Sequence, residues 1–387
     1  MVAGRTLLLD AVRGLAVVSV VLYHCFTLAV VGPRPEGAVG PGWWLLGAGS
    51  LGVDLFFVLS GFLLAGSWER CRRRHPAGLR DALVEYGRNR SLRIIPAYWV
   101  SLAILLPLAA PALLQTGSGL GRVALLATLQ GYVVKELPGQ VNLVYWSLTT
   151  EVHFYLLLPA VAWALRRYGA RLLLPACLAL TVLWRLWVHG DLPDSWILGR
   201  LDQFVAGMTA AGLVAAADAG RAGWLVRRLA TRKALWLCGG LLLAVGLYHG
   251  SRFSSPGPQP LAVLVHPLAG ILIAALLVRA VTAGRNAGAG VSALGPVGVV
   301  SFSLYLWHYP VLHHGLGVLG LDQAGTPAFA VVAGLLLLVA VSGALAVLSY
   351  RVVERPFLER KRVLRRPAPA LTPPPERTPD VEVAALV

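Results

Sequence analysis

Charge is scarce in this chain: 13% of its 387 residues are Asp, Glu, Lys or Arg, about half the share of a soluble domain. Lysine is nearly absent, with only Lys135, Lys233 and Lys361. Cysteine is rare. Cys25, Cys71, Cys177 and Cys238 form no C-x-x-C and show no ligand spacing, so neither a disulfide framework nor a metal site is expected. Acidic residues number 18 against 34 Lys+Arg, a formal net charge of +16. No basic soluble segment is large enough to turn that excess into nucleic-acid binding, so no nucleic-acid partner is expected. Hydrophobic residues are abundant, at 57% with 42 glycines beside them, well above soluble domains. That composition excludes an ordinary globular enzyme and a disordered chain.

Long apolar runs recur along almost the whole length, so the fold class expected is all-α, a polytopic membrane protein. Ten spans are predicted near 7–31, 43–67, 94–114, 145–165, 172–189, 198–217, 234–249, 260–281, 297–315 and 327–350. With the N-terminus placed in the cytoplasm, the inside segments carry 27 Lys and Arg. The outside segments carry four: Arg34, Arg122, Lys135 and Arg252. The positive-inside rule then puts both termini in the cytoplasm, in an inner (plasma) membrane. The first span is not expected to be a cleaved signal, since it holds Asp10 and Arg13 and no small-residue cleavage pattern follows. Within the outside segment 115–144, the apolar stretch 123–134 is expected to dip into the membrane. One membrane domain covers 1–358. From 359 to 387 a basic, proline-rich cytoplasmic tail is expected to be extended and to lie on anionic lipid.

Ionisable groups inside spans cost about 2.5–3.5 kcal/mol each on insertion scales, so each is a functional candidate. Asp10, Arg13, His24, Asp54, Glu151, His153, Arg185, Asp202 and His308 qualify. Some have plain alternatives. Arg185 can snorkel to the outer head groups, and Asp202 can pair locally with Arg200. Arg13 and His24 form the sharpest pair. Eleven residues at about 100° each return to one helix face, about 16 Å apart along the axis. An arginine at the cytoplasmic mouth and a histidine deeper on the same line suit a ligand with an anionic head and a reactive end. Arginine's donor fork matches phosphate, and histidine accepts a hydroxyl proton near neutral pH. A catalytic histidine needs an orienting group, and Asp54 and Glu151 lie at suitable depths. His308 and Asp202 are read as acceptor-binding or structural. Arg90 and Arg93, three apart at a predicted helix start, share a face and can grip phosphates.

Seven segments together resemble the acyltransferase-3 family of multi-spanning bacterial membrane O-acyltransferases. They are LLLDAVRGLAVVSVVLYH, GVDLFFVLSGFLL, RNRSLRIIPAYW, WSLTTEVHFYLLLP, RLDQFVAGM, SFSLYLWHYP and ERPF, in the family's order. The resemblance implies ten spans with both ends inside. It also implies transfer of an acyl group, commonly acetyl from acetyl-CoA as co-substrate, with no bound cofactor. By position, His24 matches the family's proposed catalytic histidine and Arg13 the arginine paired with it. Arg90 and Arg93 match its Arg-x-x-Arg pair for the acyl donor, and Glu151 the glutamate of its Trp-Ser-Leu motif. Val152 and His153 replace a common Glu-Gln, and Phe302 stands where tyrosine is common.

The expected partners are acyl-CoA, membrane lipid and a hydroxylated acceptor: a glycan, a lipid-linked sugar or a macrolide-like small molecule. No extracytoplasmic esterase-like domain is expected here, so the chain is expected to acylate its acceptor directly or to hand the acyl group to a separate protein. Two rival readings stand beside it: a transporter or flippase for a lipid-linked glycan, since intramembrane charges suit that class too, and a non-catalytic membrane partner that binds a glycan polymer.

Overall fold

The computed structural model describes residues 3–28, 41–131, 137–188, 196–252, 261–283, 289–323 and 326–363. Among these there are helices and turns and no strand. The longer helices are α1 (Ala3–Phe26), α2 (Gly52–Arg74), α3 (Leu79–Ala109), α4 (Gly117–Ala127), α5 (Tyr145–Tyr168), α6 (Ala170–Trp187) and α7 (Leu201–Asp218). After them come α8 (Arg232–Ser251), α9 (Ala262–Thr282), α10 (Ala289–Val299), α11 (Ser301–Val318), α12 (Ala328–Ser349) and α13 (Arg355–Val363). Each predicted span falls on a helix. Eight are long and apolar enough to cross a membrane, and the bent pair α10–α11 brings nine. The helix at the sixth predicted span, α7, holds Asp202, Gln203 and Asp218, which dilute its apolar character. The protein is an all-α, multi-pass membrane protein.

Helices that must approach closely do so through glycine. A Cβ on Gly61 of α2 would lie 2.1 Å from the Phe204 carbonyl oxygen, and one on Gly207 of α7 would lie 2.0 Å from that of Val58. The two backbones are therefore in contact, the usual use of small residues where lipid removes the hydrophobic drive for helix association. Aromatic rings extend this seam. Phe204 stacks on Phe154 of α5 at 4.0 Å between centroids and meets Phe57 of α2 at 4.9 Å. On the other side α1 presses on α10: Cβ atoms on Gly14 and Gly298 would lie 2.3 and 1.7 Å from the carbonyl oxygens of Leu294 and Asp10.

Several boundaries differ from the sequence reading. The third span begins at Leu79 rather than 94, because Leu79–Arg93 is charged yet made mainly of good helix formers. Arg90 and Arg93 therefore lie in mid-helix, not at a helix start. The ninth span, predicted as one piece over 297–315, is broken: α10 and α11 meet at 73°. The apolar stretch after 115 begins as α4, tied to α3 where the Tyr98 hydroxyl donates to Leu126 O at 2.7 Å and Trp99 Nε1 to Ala127 O at 2.9 Å. At the C-terminal end α12 passes through a π-helical turn, Tyr350–Glu354, into α13. The helix thus persists to Val363, past the predicted tail boundary at 359. Residues 364–387, Arg34 and Lys135 lie outside the described residues.

Candidate active site

Arg13, Arg90 and Arg93 reach one cavity from two helices. It is walled by α1, α2, α3, α5 and α11. Glu151 of α5 stands in the same cavity. Its Oε1 accepts from the Ser60 hydroxyl at 2.6 Å and from the Tyr155 hydroxyl at 2.7 Å. Arg13 Nη1 donates to Asp10 Oδ1 at 2.9 Å, one turn earlier on α1. Arg90 Nη2 donates to the Ser67 hydroxyl at 3.2 Å, and its guanidinium carbon lies 5.9 Å from the centre of the Tyr155 ring. The break at Val300 adds a second electropositive element. Ser301 and Phe302, the first residues of α11, line the cavity, so the positive end of that helix's dipole sits beside it. The lining carries three guanidinium groups and a helix N-terminus against the carboxylate of Glu151, with Asp10 offsetting Arg13 from outside it, a lining that fits a phosphate-bearing ligand.

Its inner wall leads towards His24. Tyr305 lines the cavity, and its hydroxyl is 2.7 Å from that of Ser147. The Tyr305 ring is 5.6 Å from that of His308, which is 5.3 Å from that of His24. His24 is 9% exposed and His308 fully buried. Tyr23 and Tyr309 complete the ring contacts of His24, at 4.9 and 5.0 Å. α1 is unbroken from Ala3 to Phe26, so the helical register relating Arg13 and His24 holds. Arg13 faces the cavity and His24 lies beyond the cavity's lining, behind Tyr305 and His308.

Neither carboxylate expected to orient His24 touches it. Glu151 is held by Ser60 and Tyr155 as described. Asp54 belongs to a second polar cluster, built by α2, α7, α8 and α9. Its Oδ1 accepts from Arg200 Nη1 at 3.1 Å and from Gln203 Nε2, and lies 2.8 Å from His266 Nδ1. His249 Nε2 is 2.9 Å from the Ser50 hydroxyl, and the His249 and His266 ring centres are 5.3 Å apart. Charge and burial explain the arrangement: Asp54 has no exposure and Arg200 only 3%, so each neutralises the other. Arg200 thus pairs with Asp54, which lies 146 residues earlier in the chain. Asp202 accepts from Thr181 at 3.3 Å. Arg185 does not snorkel; it is buried and donates from Nη2 to Gly199 O at 2.9 Å.

Sequence reasoning passed over Ser60, Tyr155, Ser147 and Tyr305 as site residues. They carry no charge, so the search for ionisable groups in lipid was blind to them. It also passed over His249 and His266, which do carry that signal, and over Glu354 of the ERPF segment, which falls just past the tenth predicted span. Glu354, in the π-helical turn, is buried and accepts from the Ser303 hydroxyl at 3.1 Å.

Comparison with known proteins agrees with the geometry. The exopolysaccharide production protein ExoZ of Rhizobium meliloti is 30% identical over 332 residues, covering 82% of this chain and 92% of that protein. The putative membrane-bound transacylase BcsY of Komagataeibacter xylinus is 27% identical, covering 91% and 82%. The peptidoglycan O-acetyltransferase OatA of Listeria monocytogenes is 24% identical over 90% of this chain and 55% of its own length. No solved structure matches. The profile of the acyltransferase-3 domain matches residues 7–347, nearly the whole membrane-embedded part. The chain belongs to the acyltransferase-3 family and is an acyl-transferring membrane enzyme.

Proposed function

We infer that this enzyme moves an acyl group, acetyl being the simplest, from acyl-CoA to a hydroxyl of a cell-envelope glycan or lipid-linked sugar. The observation that carries this reading is the convergence of Arg13, Arg90 and Arg93 on a cavity lined by Tyr305, whose ring meets that of His308 at 5.6 Å, which in turn meets that of His24 at 5.3 Å. The distribution of arginines favours both termini in the cytoplasm, an orientation that opens the cavity mouth to the cytoplasmic pool of acyl-CoA at an inner membrane. The phosphates of the donor meet the three guanidinium groups and the start of α11. Glu151 holds the hydroxyls of Ser60 and Tyr155 and balances part of the positive charge. The thioester extends inwards past Tyr305.

His24 then takes the proton of the acceptor hydroxyl as its oxygen attacks the thioester carbon. The carbon–sulfur bond breaks, and the leaving thiolate takes the proton from His24. Asp54 plays no direct part; its ion pair with Arg200 braces α2 against α7. A saccharide acceptor is supported by ExoZ and OatA, whose names refer to exopolysaccharide production and to peptidoglycan. The test is transfer of label from acetyl-CoA to envelope glycan by membranes holding the parent protein or His24→Ala. Label transfer that needs His24 supports the reading. Transport of a lipid-linked glycan without acyl-CoA, with no label transferred, would overturn it.

A further inference from the structure

His308 has one nitrogen accounted for and one that is not. Nδ1 lies 3.1 Å from the carbonyl oxygen of Leu304, one turn back on α11. A carbonyl only accepts, so Nδ1 carries the hydrogen and Nε2 of the neutral ring is a bare acceptor. Nε2 is buried with no hydrogen-bond partner, a costly state unless a donor is meant to meet it. The titratable rings beside His308 are two: Tyr305 on its own helix and His24 on α1. Tyr305 is engaged with Ser147. His24 remains, with its ring centre at 5.3 Å. Two imidazoles joined by an N–H···N bond of about 2.9 Å, each nitrogen about 1.1 Å from its ring centre, sit about 5.1 Å apart. The rings are therefore spaced as a bonded pair. The rings are tilted by 40°, and χ2 of His24 is a soft torsion through which its ring can turn towards His308.

We propose that His308 Nε2 accepts a hydrogen bond from His24 and so fixes which His24 nitrogen is free to receive the acceptor's proton. His308 is a positioning residue, filling the role that the sequence suggested for Asp54 or Glu151. The pairing also explains how a catalytic histidine works where no carboxylate reaches it. As His24 gains the acceptor's proton it becomes a cation, and its N–H to His308 becomes a charge-assisted bond. When the thiolate takes the proton back, the pair returns to its neutral state. This inference rests on the acyl-transfer reading for its kinetics but not for its geometry.

The test compares the parent with His308→Gln and His308→Leu in lipid nanodiscs, by kinetics and by ¹⁵N NMR of histidine-labelled protein, with His24→Gln assigning the signal. Glutamine offers an acceptor oxygen at similar reach; leucine offers none. His308→Leu is expected to lower kcat about 10- to 100-fold, the worth of a hydrogen bond to a charged group, with KM for acetyl-CoA within about twofold. His308→Gln is expected to recover most of the loss. The His24 signal is expected to show one tautomer in the parent and a mixture in His308→Leu. Equal kcat in all three proteins, or equal loss in both variants, would overturn the proposal, as would unchanged His24 tautomer populations. If the parent transfers no acyl group, the acyl-transfer reading fails on its own, and the NMR comparison alone decides the pairing.

Discussion

Replacing Arg13 by alanine removes one of three guanidinium groups from the cavity and leaves the half-buried Asp10 without its 2.9 Å partner. The Arg13 side chain is 23% exposed, sheltered enough for a hydrogen bond to an anion to be worth about 1.5–3 kcal/mol. At about 1.4 kcal/mol per factor of ten, KM for acetyl-CoA should rise about 10- to 150-fold. The change should fall on KM more than on kcat, because Arg13 lies about 16 Å along α1 from His24. Arg13→Lys keeps the charge but loses the fork, so it should recover part of the affinity. Arg5 is the control. It pairs with Asp218 at 2.7 Å on exposed ground, where an ion pair contributes at most about 1 kcal/mol, and it lies outside the cavity lining. Arg5→Ala should leave KM within about twofold. The assay is the initial rate of free-thiol release over a range of acetyl-CoA concentrations. A KM for Arg13→Ala within twofold of the parent would refute the assignment of the cavity to the donor.

Other expectations follow from the same geometry. Glu151→Gln keeps the shape but removes the charge that accepts from both Ser60 and Tyr155, so transfer should fall at least tenfold. Tyr155→Phe removes one of the two donors to that carboxylate but keeps its charge and its bond from Ser60, so it should cost less than Glu151→Gln; equal rates in both variants would contradict the placement of Glu151. Asp54→Ala leaves Arg200 and His266 buried without that carboxylate and should destabilise the fold by about 3–5 kcal/mol, read as a lower melting temperature in detergent. Gly207→Leu drives a side chain into the backbone of α2 and should lower yield and melting temperature sharply, with Gly207→Ala intermediate. A Gly207→Leu protein as stable as the parent would mean that α2 and α7 do not touch there.

The sequence exposed the spans and the line from Arg13 to His24 because both depend on one helix at a time. Apolar length reveals a span, and helical pitch gives a face. It did not expose the partner of His24, because depth in the membrane sets the level of a side chain but not its direction around the bundle. Asp54 is at a suitable depth, yet its carboxylate meets His266, which is 212 residues away in the chain. The α10–α11 break was hidden because Pro296, Gly298 and Val300 sit in an unbroken apolar run, and hydropathy senses solvent, not conformation. The same blindness set the start of α3 too late, at the last of its arginines. Glu151 was correctly noticed as a carboxylate within a span, but its hydroxyl partners were invisible among apolar neighbours.

The most direct measurement is acyl transfer in membranes holding this protein, with acetyl-CoA labelled on the acetyl group, crude envelope glycan as acceptor, and His24→Ala alongside. The account predicts label on the glycan and stoichiometric release of CoA, both lost in His24→Ala while the protein still inserts in the membrane. Label transferred equally well by His24→Ala would contradict it.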